Sequence, residues 1–220
     1  MYIISRLFLY FIIYSFVGWV MEVCVSFYDK KRFVNRGFLI GPVCPIYGFG
    51  VLLIVTIIGS SSDIFSIFLK SIFVCSILEY FTSYLMEKLF NARWWDHSYY
   101  KYNINGRICL ETMIPFGILG TIFTKYFHPF VVKNIVSLNQ SLVLVVAIIV
   151  FVIFLIDNII SFNVFNKIKD QIKNNKGDNT EAIRKKVLSW IDKNSLLFRR
   201  IKEAFPKFEI YKKVLKRIKK

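Results

Sequence analysis

Residues 141–165 read SLVLVVAIIVFVIFLIDNIISFNVF, 25 residues with one charge, Asp157. At 1.5 Å of helical rise such a run reaches about 37 Å, more than the roughly 30 Å of a bilayer's hydrocarbon core. It predicts a transmembrane helix. Four other runs pass the same length test, at residues 2–28, 38–58, 64–90 and 108–127. Pro42 and Pro45 interrupt the start of 38–58. Pro115, Gly117 and Gly120 break 108–127, as happens in membrane helices whose freed carbonyls are satisfied by neighbouring protein. The first run has no charged segment before it, is too long for a secretory signal and shows no small-x-small cleavage pattern, so it reads as a membrane anchor. The expected fold class is all-α: a polytopic helical membrane protein with five transmembrane helices.

Composition points the same way. Of 220 residues, 55% are hydrophobic, 18% aromatic and 20% charged, and the mean hydropathy is +0.50. Average soluble chains are roughly 45–50% apolar and about 25% charged, so an ordinary water-soluble domain is excluded. Charge is uneven along the chain. Residues 166–220 hold 18 of the 30 Lys and Arg and 6 of the 14 Asp and Glu, a net +12, against +4 for residues 1–165. The expected organisation is a transmembrane domain over 1–165 and a basic tail over 166–220. Lys30, Lys31, Arg32 and Arg36 follow the first run, four basic residues lie between Lys88 and Arg107, and the opposite connections hold only Lys125 and Lys133. The positive-inside rule then places the N-terminus outside and the C-terminus in the cytoplasm.

The tail opens on a turn-prone linker at Asn174–Asp178. Asp178 three residues before Glu181 resembles a capping box, and apolar residues then recur at three- and four-residue steps, which predicts one amphipathic helix to about Phe205 and a second, short one after Pro206. Such a basic tail suits an anionic lipid surface, and with no recognition fold in the chain nucleic acid is not the expected partner. Cys24, Cys44, Cys75 and Cys109 lie in or beside apolar runs without metal-ligand spacing, so neither a disulfide framework nor a metal site is expected, and no cofactor is implied.

Four acids fall inside the runs or at their rims: Glu22, Glu79, Glu111 and Asp157. A carboxylate at the centre of a membrane helix costs about 2.5–3.5 kcal/mol on insertion scales, so each should face the bundle interior. All four lie in the half nearer the cytoplasm, which suggests one polar cavity open to that side and binding a solute or ion. The plainer alternative is that they pair with Arg36, Arg93 or Arg107 and hold the bundle together. Gly18 shares a helix face with Glu22, Ser76 and Ser83 with Glu79, and Ser161 with Asp157. Between the third and fourth runs, Arg93-Trp94-Trp95-Asp96-His97-Ser98-Tyr99-Tyr100-Lys101-Tyr102-Asn103-Ile104-Asn105-Gly106-Arg107 places paired Trp and three Tyr where the head-group layer suits them. Trp94, Trp95, Asn105 and Gly106 are the expected anchors of this loop. Asn105-Gly106 is a turn signal that would bring Asp96 and Arg107 towards Glu111, and a guanidinium there could grip a phosphate or carboxylate in two places. His97 is a candidate general base, although a lone His in an aromatic belt is more often a hydrogen-bonding packer.

Four motifs carry a family resemblance: Gly18-Trp19-Val20-Met21-Glu22; Arg36-Gly37-Phe38-Leu39-Ile40-Gly41-Pro42-Val43-Cys44-Pro45-Ile46-Tyr47-Gly48; Glu79-Tyr80-Phe81-Thr82-Ser83-Tyr84-Leu85-Met86-Glu87-Lys88-Leu89-Phe90; and the loop from Trp94-Trp95-Asp96 to Asn105-Gly106-Arg107-Ile108. In this order, between about Leu9 and Gly120, the chain resembles the CmpB-like ABC-transporter type IV permeases of bacteria. His97 departs from the pattern, which carries Tyr there, and the tail beyond Asn166 lies outside it. The resemblance implies a multi-pass permease component of a bacterial inner membrane. The chain has no Gly-rich phosphate loop of the Walker type, so ATP hydrolysis would come from a separate subunit; a homo-oligomer is the other partner to expect. Two further function classes stand beside transport. One is a scaffold or sensor acting through its tail. The other is a membrane-embedded enzyme on a lipid-linked head group, with Asp96 or His97 moving a proton and Arg107 stabilising phosphate charge.

Overall fold

The computed structural model describes residues 1–58, 63–174 and 180–205. In chain order these form α1 (Tyr2–Lys30), α2 (Pro45–Ile58), α3 (Ile64–Phe90), the strands β1 (Asn103–Ile104) and β2 (Ile108–Cys109), α4 (Leu110–Ile122), α5 (His128–Val136), α6 (Gln140–Asn174), α7 (Thr180–Lys193) and α8 (Leu196–Ala204). The described residues are mostly helical and include a short antiparallel pair, with Asn103 opposite Cys109 and Ile104 opposite Ile108.

The helices α1, α3 and α6 are long and apolar enough to cross a membrane, and only 33%, 17% and 11% of their apolar windows are buried inside the protein. The rest of each window turns outwards. Side chains such as Ile153, Phe151 and Phe73 are exposed along these helices, and a lipid environment is what removes that surface from water. Inside the bundle α1 packs on α2 and α6, α2 on α3, and α3 on α4. Asp63 caps α3, accepting the Ser66 amide at 2.7 Å, and Asn91 ends the helix in the left-handed conformation at φ 57°.

Several boundaries differ from the sequence expectation, three of them for a local reason. The second apolar run is helical only from Pro45, and residues 38–44 are irregular. Proline's fixed φ and missing N–H make Pro45 a natural first helical residue, and Pro42 disfavours helix just before it. The fourth run does not stop at Phe127. A π-helical turn, Phe123–Phe127, joins α4 to α5, and the His128 amide donates to the Phe123 carbonyl five residues back. Pro129 accounts for the wider turn, because its ring would strike the Lys125 carbonyl of a regular helix and it has no amide to give. The predicted single tail helix is divided at Asn194-Ser195, where the Asn194 side chain donates to the Trp190 carbonyl at 2.7 Å and Ser195 takes an extended ψ of 162°. Short polar side chains that bond locally compete with helix in this way. Asp178 and the short helix expected after Pro206 lie outside the described residues.

The helix α6 runs unbroken past Phe165-Asn166 to Asn174. Its end, with Phe90, Ala92 and Trp94, forms one apolar cluster with Ile183, Val187 and Ile191 of α7 and Phe198 and Ile201 of α8. Trp94, expected among head groups, is 3% exposed and has its ring 4.5 Å from that of Phe165 and 5.3 Å from that of Phe205. Tyr99 and Tyr102 of the same loop are exposed.

Candidate functional site

The stretch between α1 and α2 is non-helical, so its backbone groups need partners from elsewhere. Groups on three helices, and Asn35 of the segment itself, supply them. Asp157 of α6 accepts the Ile40 amide on Oδ1 at 2.9 Å and the Gly41 amide on Oδ2 at 2.8 Å, and Ser161 Oγ donates to Oδ1 at 3.0 Å. The Cys44 amide donates to the Ser15 carbonyl of α1 at 2.9 Å. Asn35 accepts from Trp19 Nε1 at 2.8 Å and donates to the Ile40 carbonyl at 2.7 Å. From α8, Arg200 Nη2 donates to the carbonyls of Gly37, at 2.7 Å, and Leu39. Burial pushes the Arg200 pKa below its ordinary value, and the nearby Asp157 carboxylate acts against that shift.

Glu22 lies at the edge of this segment. Its Oε1 accepts from Tyr47 Oη at 2.8 Å and its Oε2 from Arg36 Nε at 3.3 Å, with the Tyr47 ring lying against Gly18 where no Cβ would fit. Arg36 Nη1 reaches on to the Ala204 carbonyl at the end of α8.

A second polar group is built on the hairpin. Asn105 and Gly106 have φ of 54° and 66°, the pair of positive values that a type I′ turn needs. The turn carries Arg107 to α3, where Nη2 donates to Glu87 Oε2 at 3.0 Å and Nη1 to Ser83 Oγ at 3.1 Å, and the guanidinium sits 5.6 and 5.5 Å from the ring centroids of Tyr80 and Tyr84. Glu87 Oε2 also accepts from Arg93 Nε at 3.0 Å. Arg93 Nη1 in turn meets the Asn105 carbonyl at 3.0 Å and Asp96 Oδ1 at 3.4 Å, and Asp96 Oδ1 accepts from the Ser98 amide and hydroxyl. Asn105 Nδ2 donates to Tyr80 Oη at 2.9 Å. Arg107 is 6% exposed and donates to Ser83 and Glu87, and Glu111 is exposed in the first turn of α4.

Between these groups stand Glu79 and His97. Their nearest approach is 3.8 Å, from His97 Nε2 to Glu79 Oε1, and the His97 amide is fixed by the Gly106 carbonyl at 2.8 Å. Glu79 Oε2, His97 Nδ1 and, one turn earlier on α3, Ser76 Oγ are buried without a hydrogen-bond partner. Buried polar atoms are rarely left in that condition. A small cleft, no larger than a water molecule needs, lies elsewhere, at the seam of Trp94, Ile168, Leu188, Ile191 and Phe205.

The structure thus brings Asp96 and Arg107 into one network, ties Asp157 to the irregular segment, and leaves Glu111 apart. Residue reading passed over Glu87, the acid on which both hairpin arginines converge. The signal was available: Ser76, Tyr80, Ser83 and Glu87 recur at steps of four, three and four, one face of a helix. Arg200 lies in the basic tail, and nothing in its own sequence neighbourhood announces the carbonyls it meets.

These features define a helical membrane protein with its polar side chains gathered around an irregular segment and a hairpin. The chain belongs to the family described as "Putative ABC-transporter type IV", whose model matches residues 9–162. The match runs beyond Gly120 through α5 and into α6 as far as Phe162, so it takes in Asp157 and Ser161 and leaves α7 and α8 outside. Neither the curated proteins nor the solved structures give a match to this chain.

Proposed function

We propose that this protein is the permease-like component of an ABC-type transport system in a bacterial inner membrane, offering a small solute or ion a polar site centred on Glu79 and His97 on the cytoplasmic side. The reading has five spans: α1; residues 38–44 with α2; α3; the continuous α4, π-turn and α5; and α6, with the N-terminus outside. Irregular backbone at membrane depth is tolerated where protein satisfies it, and the donors and acceptors around residues 37–44 support counting that stretch within the second span. ATP hydrolysis belongs to a separate subunit.

One observation carries the site. Glu22 has Arg36 and Tyr47, Glu87 has Arg93 and Arg107, and Asp157 has two amides and a hydroxyl. Glu79 has one loose contact and a buried oxygen with no donor. An acid that a fold has not neutralised is the one left to a ligand. The enzyme reading loses its anion-stabilising group, since Arg107 is held by Glu87. The scaffold reading keeps one support, the docking of α7 and α8 on the body.

The test is a thermal-shift screen of purified protein in detergent against ions, amino acids, nucleotides and head-group analogues, with Glu79→Gln and Arg107→Ala alongside. A ligand at 100 times its Kd adds about 2.7 kcal/mol to apparent stability. The expected result is a solute that stabilises the wild type and Arg107→Ala but not Glu79→Gln. A shift of equal size in Glu79→Gln removes Glu79 from the site.

A further inference from the structure

The helices α7 and α8 present two different faces. One is turned to the body, where α8 makes polar contacts with the inner end of α1 and the segment after it. Arg200 holds the Gly37 and Leu39 carbonyls, Lys30 Nζ donates to the Glu203 carbonyl at 3.0 Å, Arg36 to that of Ala204, and Arg32 pairs with Glu203 Oε1 at 3.2 Å. Cations at the last carbonyls of α8 complement its dipole. Because Lys30 is the last residue of α1, these contacts hold α8 level with the inner end of a membrane span.

The other face is basic and unmatched. The acids of α7 and α8 are already engaged: Glu181 with Arg184 at 3.5 Å, Asp192 with Lys202 at 2.6 Å, and Glu203 with Arg32. Lys185, Lys186 and Lys193 are exposed, with no carboxylate in ion-pair range among the described residues. Spacings of seven and eight residues put all three on one side of α7. Arg199 is exposed beside them and gives its Nε to the Asp192 carbonyl, and Leu196 is 79% exposed at the start of α8. A row of lysines with an exposed leucine, at head-group height, matches an anionic leaflet in charge and in polarity.

We propose that α7 and α8 form a clamp whose inner face holds residues 36–41 through Arg200 and whose outer face binds anionic phospholipid head groups, so that leaflet charge sets how firmly the segment is held. Without Arg200 the carbonyls of Gly37 and Leu39 lose their donor, which is the route from head group to segment. This rests on the cytoplasmic placement of the C-terminus and is independent of what Glu79 binds.

The experiment is amide hydrogen exchange on the full chain in nanodiscs of phosphatidylcholine, alone or mixed with phosphatidylglycerol. Phosphatidylglycerol should slow exchange several-fold in α7, α8 and residues 36–41. The triple variant Lys185→Gln, Lys186→Gln, Lys193→Gln, which changes only exposed side chains, should match the wild type in phosphatidylcholine and lose the response to phosphatidylglycerol. Arg200→Gln should speed exchange at 36–41 in both lipids while α7 still responds. Equal exchange in the two lipids, or an Arg200→Gln variant with unaltered 36–41 amides, overturns the proposal. Reaction of Leu196→Cys with an impermeant maleimide from the outer side of right-side-out vesicles would overturn the orientation instead, whatever the exchange shows.

Discussion

Gly41 donates its amide to Asp157 Oδ2 at 2.8 Å, and a Cβ added to Gly41 would stand 2.8 Å from that same oxygen. The two residues are 116 positions apart, and the approach that makes the bond leaves no room for a side chain. An acid inside a helix long and apolar enough to cross a membrane thus holds a stretch of backbone that has no helix of its own.

Asp157→Ala should therefore behave as the loss of a cap. It orphans the Ile40 and Gly41 amides and the Ser161 hydroxyl, and at about 1–3 kcal/mol for each of these three donors the expected loss is of the order of 3–9 kcal/mol. Gly41→Ala should lower stability through the same contact while keeping every acid in place. Thermal unfolding in detergent reads both, and a Gly41→Ala protein as stable as the wild type would show that Asp157 moves aside without cost.

Glu87 is the residue whose removal should damage the hairpin most. Arg93 and Arg107 have side chains 4% and 8% exposed, and Glu87→Gln leaves two buried guanidinium groups facing an amide. Breaking one member of a buried ion pair costs about 3–5 kcal/mol. Residues 93–109 should become susceptible to limited proteolysis in Glu87→Gln and stay resistant in Glu111→Gln, since Glu111 is exposed.

How much of this was legible depends on the period of the signal. The runs behind α1, α3 and α6 announce themselves because a bilayer demands some 20 apolar residues in succession, and nothing local competes with that. The Asn105-Gly106 turn is legible for the opposite reason, being wholly local. What escaped was intermediate. The π-turn before Pro129 depends on one ring against one carbonyl, in an otherwise apolar run. Glu87 sits beside Lys88 and looks like a surface charge until Arg93 and Arg107 arrive from a loop. Arg200 meets carbonyls more than 160 residues away, and a carbonyl leaves no mark in a sequence.

Gly106→Ala tests the turn directly. Its φ of 66° belongs to the left-handed region, which costs a residue with a Cβ roughly 1–2 kcal/mol, and the new methyl would lie 2.3 Å from both Asp96 Oδ1 and Ser98 Oγ. Asn105, at φ 54°, already bears its side chain in that region, so Asn105→Gly should lose chiefly the 2.9 Å bond to Tyr80 Oη. The expected order of melting temperatures is wild type, then Asn105→Gly, then Gly106→Ala. A Gly106→Ala protein that melts above Asn105→Gly would contradict the crowding at Asp96.

Glu79→Gln should part company with the other acid variants. Replacing Asp157 or Glu87 removes a charge that donors surround, whereas replacing Glu79 removes one that faces a single loose imidazole contact at 3.8 Å and has an oxygen without a donor. Burying a charge with so little compensation is costly to the folded state. The amide should accordingly leave the melting temperature unchanged or raise it while abolishing solute binding or transport. That opposition between stability and activity is what a site kept for a ligand predicts. If Glu79→Gln instead melts well below the wild type, as Glu87→Gln should, then the contact with His97 is holding α3 to the hairpin and Glu79 is one more brace in the bundle.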